Sequence, residues 1–184
     1  KYNCYGCYNF AVGDHTLYVN YNGCFNFAIG YRTLRHNTTG SRNISLGAKP
    51  LFYNTTGCSN IGIGDYVLKC NTTGFNNIGI GCKALCVTNG YHNIGIGTYA
   101  LRNTLGSGKN VAVGYRALEN NTWGCQNIAM GDHALYSQQN GYFNTVIGSG
   151  ALNCAVNTCN NIAIGYRAGK NIQCGNYNEI GRAH

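Results

Sequence analysis

Acidic residues are scarce in this 184-residue sequence: it holds five Asp plus Glu against thirteen Lys plus Arg, for a formal net charge of +8. Asp14, Asp65 and Asp132 share one position of a repeat described below, but they lie three or four repeats apart, too far to act as a carboxylate pair. The five histidines and few serines suggest no nucleophile beside a base. The sequence therefore predicts a protein that is not an enzyme and uses no cofactor.

Long apolar runs are also missing, so no segment has the length of a membrane span, and no signal peptide is visible. Proline occurs once, at Pro50, whereas glycine occurs 27 times. Because the glycines are periodic, a flexible glycine-rich linker is excluded. Both ends of the chain fall within repeats, and we expect residues 1–184 to be a single repeat domain from a longer fibrous protein.

The dominant feature of the sequence is one phrase that recurs along its whole length, written Asn-Ile-Ala-Ile-Gly at residues 161–165. The step is 17 residues, except for one step of 16 from Asn77 to Asn93. A fixed period of this size is the signature of a solenoid. The repeat asparagines are Asn9, Asn26, Asn43, Asn60, Asn77, Asn93, Asn110, Asn127, Asn144, Asn161 and Asn178.

Each coil, numbered from its asparagine, has large apolar residues at positions two and four, a small residue at three and glycine at five. This alternation predicts a short strand that ends at a glycine corner. Position eight is mostly alanine and position nine is leucine in nine consecutive coils, which predicts a second short strand. An Asn-Thr-Thr-Gly stretch then predicts a polar turn. We therefore predict an all-β fold, a parallel β-solenoid of about eleven 17-residue coils.

Both faces of the predicted strands are apolar, with large residues on one face and small residues on the other. A thin solenoid has only one interior, so the second face is expected to pack on another chain. Small side chains there would let the sheets approach closely. The alternative is that position eight lies in a bend.

The phrase Asn-Ile-Ala-Ile-Gly-x-x-Ala-Leu, as at residues 110–118 and 161–168, resembles the head repeats of trimeric autotransporter adhesins and related repeats of phage and viral tail-fibre or spike proteins. The resemblance covers essentially the full chain. It implies a left-handed parallel β-roll, a homotrimer, and attachment at the extracellular or virion surface through multivalent contacts. Two features depart from those repeats: the coil is longer, and the chain has eleven cysteines.

Basic residues fall in two columns, at positions seven and ten, with tyrosines in or beside the first. Arginine beside tyrosine suits an anionic glycan or a receptor on a host-cell surface. The alternative is a solvated face common to all coils, and nucleic acid is disfavoured because no binding module is recognised. Position seven carries Arg32, Lys49, Lys83, Arg116 and Arg167; position ten carries Lys1, Arg35, Lys69, Arg102 and Lys170; the tyrosines are Tyr31, Tyr66, Tyr99, Tyr115 and Tyr166.

Cysteines recur at position sixteen, but only Cys7 and Cys24 do so in adjacent coils, at about the Cα separation of a disulfide. Cys70 and Cys86 form a weaker adjacent pair. The alternative is that most cysteines are buried thiols acting as small hydrophobic residues. Cys4 and Cys7 have the spacing of a zinc-finger pair but no second pair accompanies them, so no metal is predicted.

Five asparagines lie in N-glycosylation sequons, four of them in the polar turn, which we expect on an outer edge of the coil. A eukaryotic secretory route would allow glycans there; otherwise these residues serve only the turn. They are Asn37, Asn43, Asn54, Asn71 and Asn120.

Two other solenoid functions compete with attachment. A left-handed β-helix acyltransferase has coils with three faces, and each face contributes an inward aliphatic residue. In this chain the part of the coil with the Asn-Thr-Thr-Gly stretch has no such residue. A solitary ice-binding solenoid needs a flat threonine array. Thr38, Thr55 and Thr72 begin such a column, but Tyr21 and Gln139 interrupt it.

Overall fold

The computed structural model describes residues 2–3, 5–176 and 179–181, so the predicted positions Lys1, Cys4 and Asn178 lie outside the described residues. Within these ranges there is no helix, and the all-β prediction is confirmed. The strands are β1 Tyr2–Asn3, β2 Phe10–Val12, β3 Val19–Asn20, β4 Phe27–Ile29, β5 Ile44–Leu46, β6 Ile61–Ile63, β7 Ile78–Ile80, β8 Val87–Thr88, β9 Ile94–Ile96, β10 Asn103–Thr104, β11 Val111–Val113, β12 Ile128–Met130, β13 Thr145–Ile147, β14 Ile162–Ile164 and β15 Glu179–Ile180.

Eleven strands form one long parallel sheet, in the order β2-β4-β5-β6-β7-β9-β11-β12-β13-β14-β15. Its register pairs equivalent positions, for example Ile61 with Ile78 and Gly62 with Gly79. The 16-residue step does not disturb this register, because Ile78 pairs with Ile94. The chain is a parallel β-solenoid of about nine turns, which confirms the predicted architecture. Every position of the repeat therefore becomes a column along the solenoid.

The interior contains the leucine column of position nine together with the small residues of positions three and eight. Leu85, Ala84 and Ala112 are examples, all fully buried. Space inside is limited, since a Cβ at Gly95 would lie 3.2 Å from Leu85 Cγ. The large residues of positions two and four consequently point outward. The prediction that small residues line the outer apolar face is wrong.

Positions six to nine form a turn instead of the predicted second strand. Arg116 and Leu118 have φ of 56° and 51°, and the same left-handed backbone recurs at positions seven and nine along the solenoid. This bend turns both Ala117 and Leu118 into the core. A left-handed residue costs about 1–2 kcal/mol, and burying leucine contributes roughly 1.5–3 kcal/mol. The alternative that position eight lies in a bend is therefore correct.

The repeat asparagines form a buried hydrogen-bond ladder that runs from Asn9 to Asn161. Asn77 donates its backbone N–H and its Nδ2 to Asn60 Oδ1, at 3.0 and 3.1 Å. The same Nδ2 donates to Gly90 O at 2.8 Å, and Asn93 repeats the pattern on Asn77 Oδ1. Each buried amide thus has its donors and acceptor paired by the repeat itself, which accounts for the invariance of asparagine at position one.

A second asparagine ladder, at position twelve, is interrupted in the middle of the chain. Asn71 Nδ2 donates to Asn54 Oδ1 at 2.9 Å. The next coil is the 16-residue one and places Thr88 at this position, so Asn71 Oδ1 is buried without a hydrogen-bond partner. There β8 and β10 pair as a short parallel sheet instead. The missing residue therefore shortens the polar turn and leaves the long sheet unchanged.

Candidate binding surfaces

The outer face of the long sheet carries a continuous apolar strip, defined by positions two and four. Ile63 and Ile96 near its middle are 38% and 37% exposed. At about 4.8 Å per strand the strip is roughly 45 Å long, and a continuous exposed apolar surface of this length is unusual for a soluble monomer. It consists of Phe10, Val12, Phe27, Ile29, Ile44, Leu46, Ile61, Ile63, Ile78, Ile80, Ile94, Ile96, Val111, Val113, Ile128, Met130, Thr145, Ile147, Ile162 and Ile164.

The turn beside the long sheet carries a cation–aromatic stripe, built from the basic residues of positions seven and ten and the neighbouring tyrosines. All eight residues predicted as a binding stripe lie on it, although the ligand itself stays a prediction. The distances from cation to ring centroid are 4.8 Å for Arg32–Tyr31, 5.8 Å for Lys49–Tyr31, 5.5 Å for Lys83–Tyr99, 5.1 Å for Arg116–Tyr115 and 4.9 Å for Arg167–Tyr166.

Position ten joins the same surface, so the two predicted columns form one stripe. Lys69 Nζ lies 5.5 Å from the centroid of the Tyr66 ring, the same distance as Lys49 Nζ. Arg102 lies 5.2 Å from the Tyr99 ring in the same way. Rings and cations therefore alternate across neighbouring coils, an arrangement that favours ordered cationic side chains.

A buried carboxylate divides the stripe. Glu119 is 5% exposed, and Arg102 Nη1 and Arg116 Nε each lie 3.4 Å from one of its oxygens. Glu119 was not predicted as part of the stripe, although from residue 10 onward it is the only acidic residue of the sequence at position seven or ten. The positive charge of Arg102 and Arg116 is thus partly neutralised from beneath.

His36, beside the stripe, adds little charge to it. Burial, and then the Arg35 guanidinium, lower the pKa of His36. Its ring stacks on the Tyr53 ring with centroids 5.7 Å apart. The imidazole is therefore neutral at pH 7, and the positive charge here comes from lysine and arginine.

Of the ten cysteines that the structure describes, only Cys159 is buried, and the others are exposed or partly exposed. Cys7 and Cys24 occupy equivalent positions of adjacent coils, and the Cys7 backbone N–H donates to Cys24 Sγ at 3.2 Å. Their disulfide stays a prediction. Burial, and then the neighbouring Cys70, raise the pKa of the Cys86 thiol. Cys86 therefore has little of the thiolate that disulfide exchange requires.

Four of the five sequon asparagines point into the solenoid. Asn37, Asn54 and Asn71 belong to the position-twelve ladder and Asn43 to the position-one ladder, and all four are fully buried. The prediction that the turn sequons lie on an outer edge is wrong for Asn37, Asn54 and Asn71, because the Nδ2 that a glycan would modify donates to a buried glycine carbonyl. The Nδ2 of Asn43 donates in the same way. Asn120 is partly exposed, with its Nδ2 3.2 Å from a carbonyl of the next coil, and glycosylation there stays a prediction.

The threonine column is tied to the backbone of the neighbouring coil. Thr38 Oγ1 donates to Thr55 O at 3.0 Å, and Thr55 Oγ1 donates to Thr72 O at 2.9 Å. In the coil after Thr72 the equivalent position holds Asn89, so the run of threonines ends there. These hydroxyl groups are engaged by the protein, which weakens the case for a flat array presented to ice.

Among the residues that the structure describes, no group of three or more His, Cys, Asp or Glu side chains could hold a metal ion. Over the same residues, no helix has the length and apolar character needed to cross a bilayer.

Two histidines contact the aspartate that precedes them in the chain. The Nδ1 atoms of His15 and His133 lie 2.7 and 2.5 Å from Oδ1 of Asp14 and Asp132. Both pairs lie on the surface at positions six and seven, where they border the stripe.

No family model, curated protein or solved structure matches this chain. Its class is therefore defined by its own geometry: a parallel β-solenoid that presents the apolar strip on its long sheet and the cation–aromatic stripe on the adjoining turn.

Proposed function

We propose that the chain is a structural segment of a fibre, spike or adhesin that attaches its assembly to a surface, outside the cell or on a virion. The observation that carries this proposal is that each surface feature recurs once per coil, about every 4.8 Å. A row of identical weak contacts on a stiff rod gains strength by multivalency instead of by one deep pocket.

The apolar strip is the surface through which copies of the chain pack. From Phe10 to Ile164 it carries no charged residue, so copies with a net charge of +8 can approach there with the least repulsion. Its β-branched side chains are stiff and lose little entropy on packing. A second copy has the same spacing along the whole strip, which a partner without this repeat would lack.

Three copies, a left-handed coil and, with the repeat at Asn178, eleven coils complete the proposal. The trimer and the handedness are implied by the resemblance to adhesin heads and tail fibres, and the number of coils comes from the repeat asparagines. Around a three-fold axis each strip would face its two neighbours and become buried, while the cation–aromatic stripes would remain outside for a host-cell glycan or receptor.

The assembly is tested by native mass from light scattering. Three chains of 19.9 kDa give about 60 kDa. The Ile63→Lys/Ile96→Lys double variant should have the mass of one chain, because burying unpaired ammonium groups in an apolar interface costs several kcal/mol. Circular dichroism should show an unchanged fold.

Leu105→Lys is the matched control, since Leu105 is 43% exposed in the polar turn, away from the strip. It should keep the mass of the unmodified protein. A monomeric unmodified protein, or equal dissociation by the control, would contradict assembly through the strip.

A further inference from the structure

We propose that one part of the stripe is a binding site for a linear anionic glycan that bears sulfate or carboxylate groups along its length. The site, here the cationic cluster, consists of Arg32, Arg35, Lys49, Lys69 and Lys83. They lie in four successive coils, which begin at Asn26, Asn43, Asn60 and Asn77. This inference rests on the proposed attachment function and names the class of its ligand.

The cationic cluster is the longest run of coils in the stripe whose cations have no carboxylate partner among the described residues. Within the described ranges none of its five members forms an ion pair, whereas Arg102 and Arg116 share Glu119. Asp65 lies in one of these coils, but it forms no ion pair with the cluster, and its Oδ1 accepts the Ala48 backbone N–H at 3.0 Å. The cluster thus presents uncompensated cations that an external anion would neutralise.

Aromatic rings hold these cations together. The ammonium groups of Lys49 and Lys69 both lie 5.5 Å from the Tyr66 centroid, so two like charges share one ring. Arg35 lies 5.7 Å from the centroids of both Tyr18 and Phe52. An anion placed between such cations relieves their repulsion, and side chains already packed on rings lose less rotamer entropy when they bind it.

The shape of the cluster favours a chain with repeated charges. Three coil steps span about 14 Å, and the cations follow this line at about one coil spacing. Tyr31, 41% exposed, can form hydrogen bonds to a sugar through its hydroxyl group, while Arg32 and Lys49 lie over its ring. A linear glycan with regularly spaced acidic groups matches both features, whereas no nucleic-acid module accompanies the cluster.

The test is titration calorimetry with three probes: a sulfated uronic-acid oligosaccharide, its neutral desulfated and carboxyl-reduced counterpart of the same length, and a single-stranded oligonucleotide of equal charge. The sulfated probe should bind, more weakly as salt rises, and the neutral probe should not. No binding of the sulfated probe, or tighter binding of the oligonucleotide, would overturn the proposal.

Two double variants separate the cluster from net charge. Lys49→Gln/Lys69→Gln should weaken binding of the sulfated probe about tenfold. Arg42→Gln/Lys109→Gln removes the same charge from exposed residues at position seventeen and should weaken it less than about twofold. Equal losses in the two variants would mean that only the net charge matters, and the site would be rejected.

Glu119→Gln supplies a gain-of-affinity test. Removing this carboxylate releases Arg102 and Arg116 and extends the cluster along the stripe, so affinity for the sulfated probe should rise about threefold. An unchanged or lower affinity counts against the site.

Light scattering of the same samples distinguishes the two proposals. A monomer that binds the glycan retains the site and rejects the trimer, whereas a trimer that does not bind the glycan rejects the site alone.

Discussion

Gly97→Ala should prevent the central coils from folding. Gly97 has φ of +126°, a backbone conformation that only glycine adopts readily. A Cβ there would also lie 2.5 Å from Gly114 O and 2.8 Å from Gly114 C, both backbone atoms held by the next coil. Strain and overlap together should cost about 5 kcal/mol or more. Urea unfolding followed by circular dichroism measures the loss.

Gly150→Ala is the control, because this glycine occupies position seven, where other coils hold arginine or lysine. Its φ is +66°, and a Cβ would meet only the flexible Arg167 Cγ at 3.3 Å. A change within about 1–2 kcal/mol is expected. If the two variants lost similar stability, close stacking of the glycine corners could not explain position five.

Asn77→Ala should destabilise the solenoid by roughly 3–5 kcal/mol, because it leaves buried polar groups without partners. The Asn93 backbone N–H loses its acceptor, and Gly90 O loses the Nδ2 donor. The ladder would then be broken at the 16-residue coil, beside the interruption of the second ladder. The free energy of unfolding in urea is the appropriate measurement.

The comparison variant is Asn140→Ala, in the exposed turn, where the amide makes one hydrogen bond of 3.3 Å to Asn157. It should change stability by less than about 1 kcal/mol. A small effect at Asn77 would show that the ladder accompanies the fold without stabilising it.

The sequence was sufficient to predict the solenoid because the 17-residue period fixes which residues stack. It did not reveal which side of the strand faces the interior. Alternation at Ile61, Gly62 and Ile63 is equally compatible with either orientation, and the usual preference for buried large residues gave the wrong answer. The decisive feature is the bend at positions seven and nine, which brings Leu68 into the narrow interior and leaves space only for small residues opposite.

The site was predictable in part for a similar reason. Columns of Arg32, Lys49 and Tyr31 follow directly from the period, so their placement on one stripe could be anticipated. The neutralising role of Glu119 depends on a buried side chain lying beneath two arginines of different coils. The inward orientation of Asn37 depends on the amide ladder. Neither of these follows from spacing alone.

The undisturbed register across the 16-residue coil has a consequence for how such a rod changes length. Because Ile78 still pairs with Ile94, the register of the sheet does not depend on the exact length of the turn. A whole coil could therefore be inserted or deleted without changing how the remaining strands pair. Each added coil would lengthen the rod by about 4.8 Å and extend both surfaces by one row. On the proposed function, a longer rod would therefore also make more contacts with the surface to which it attaches.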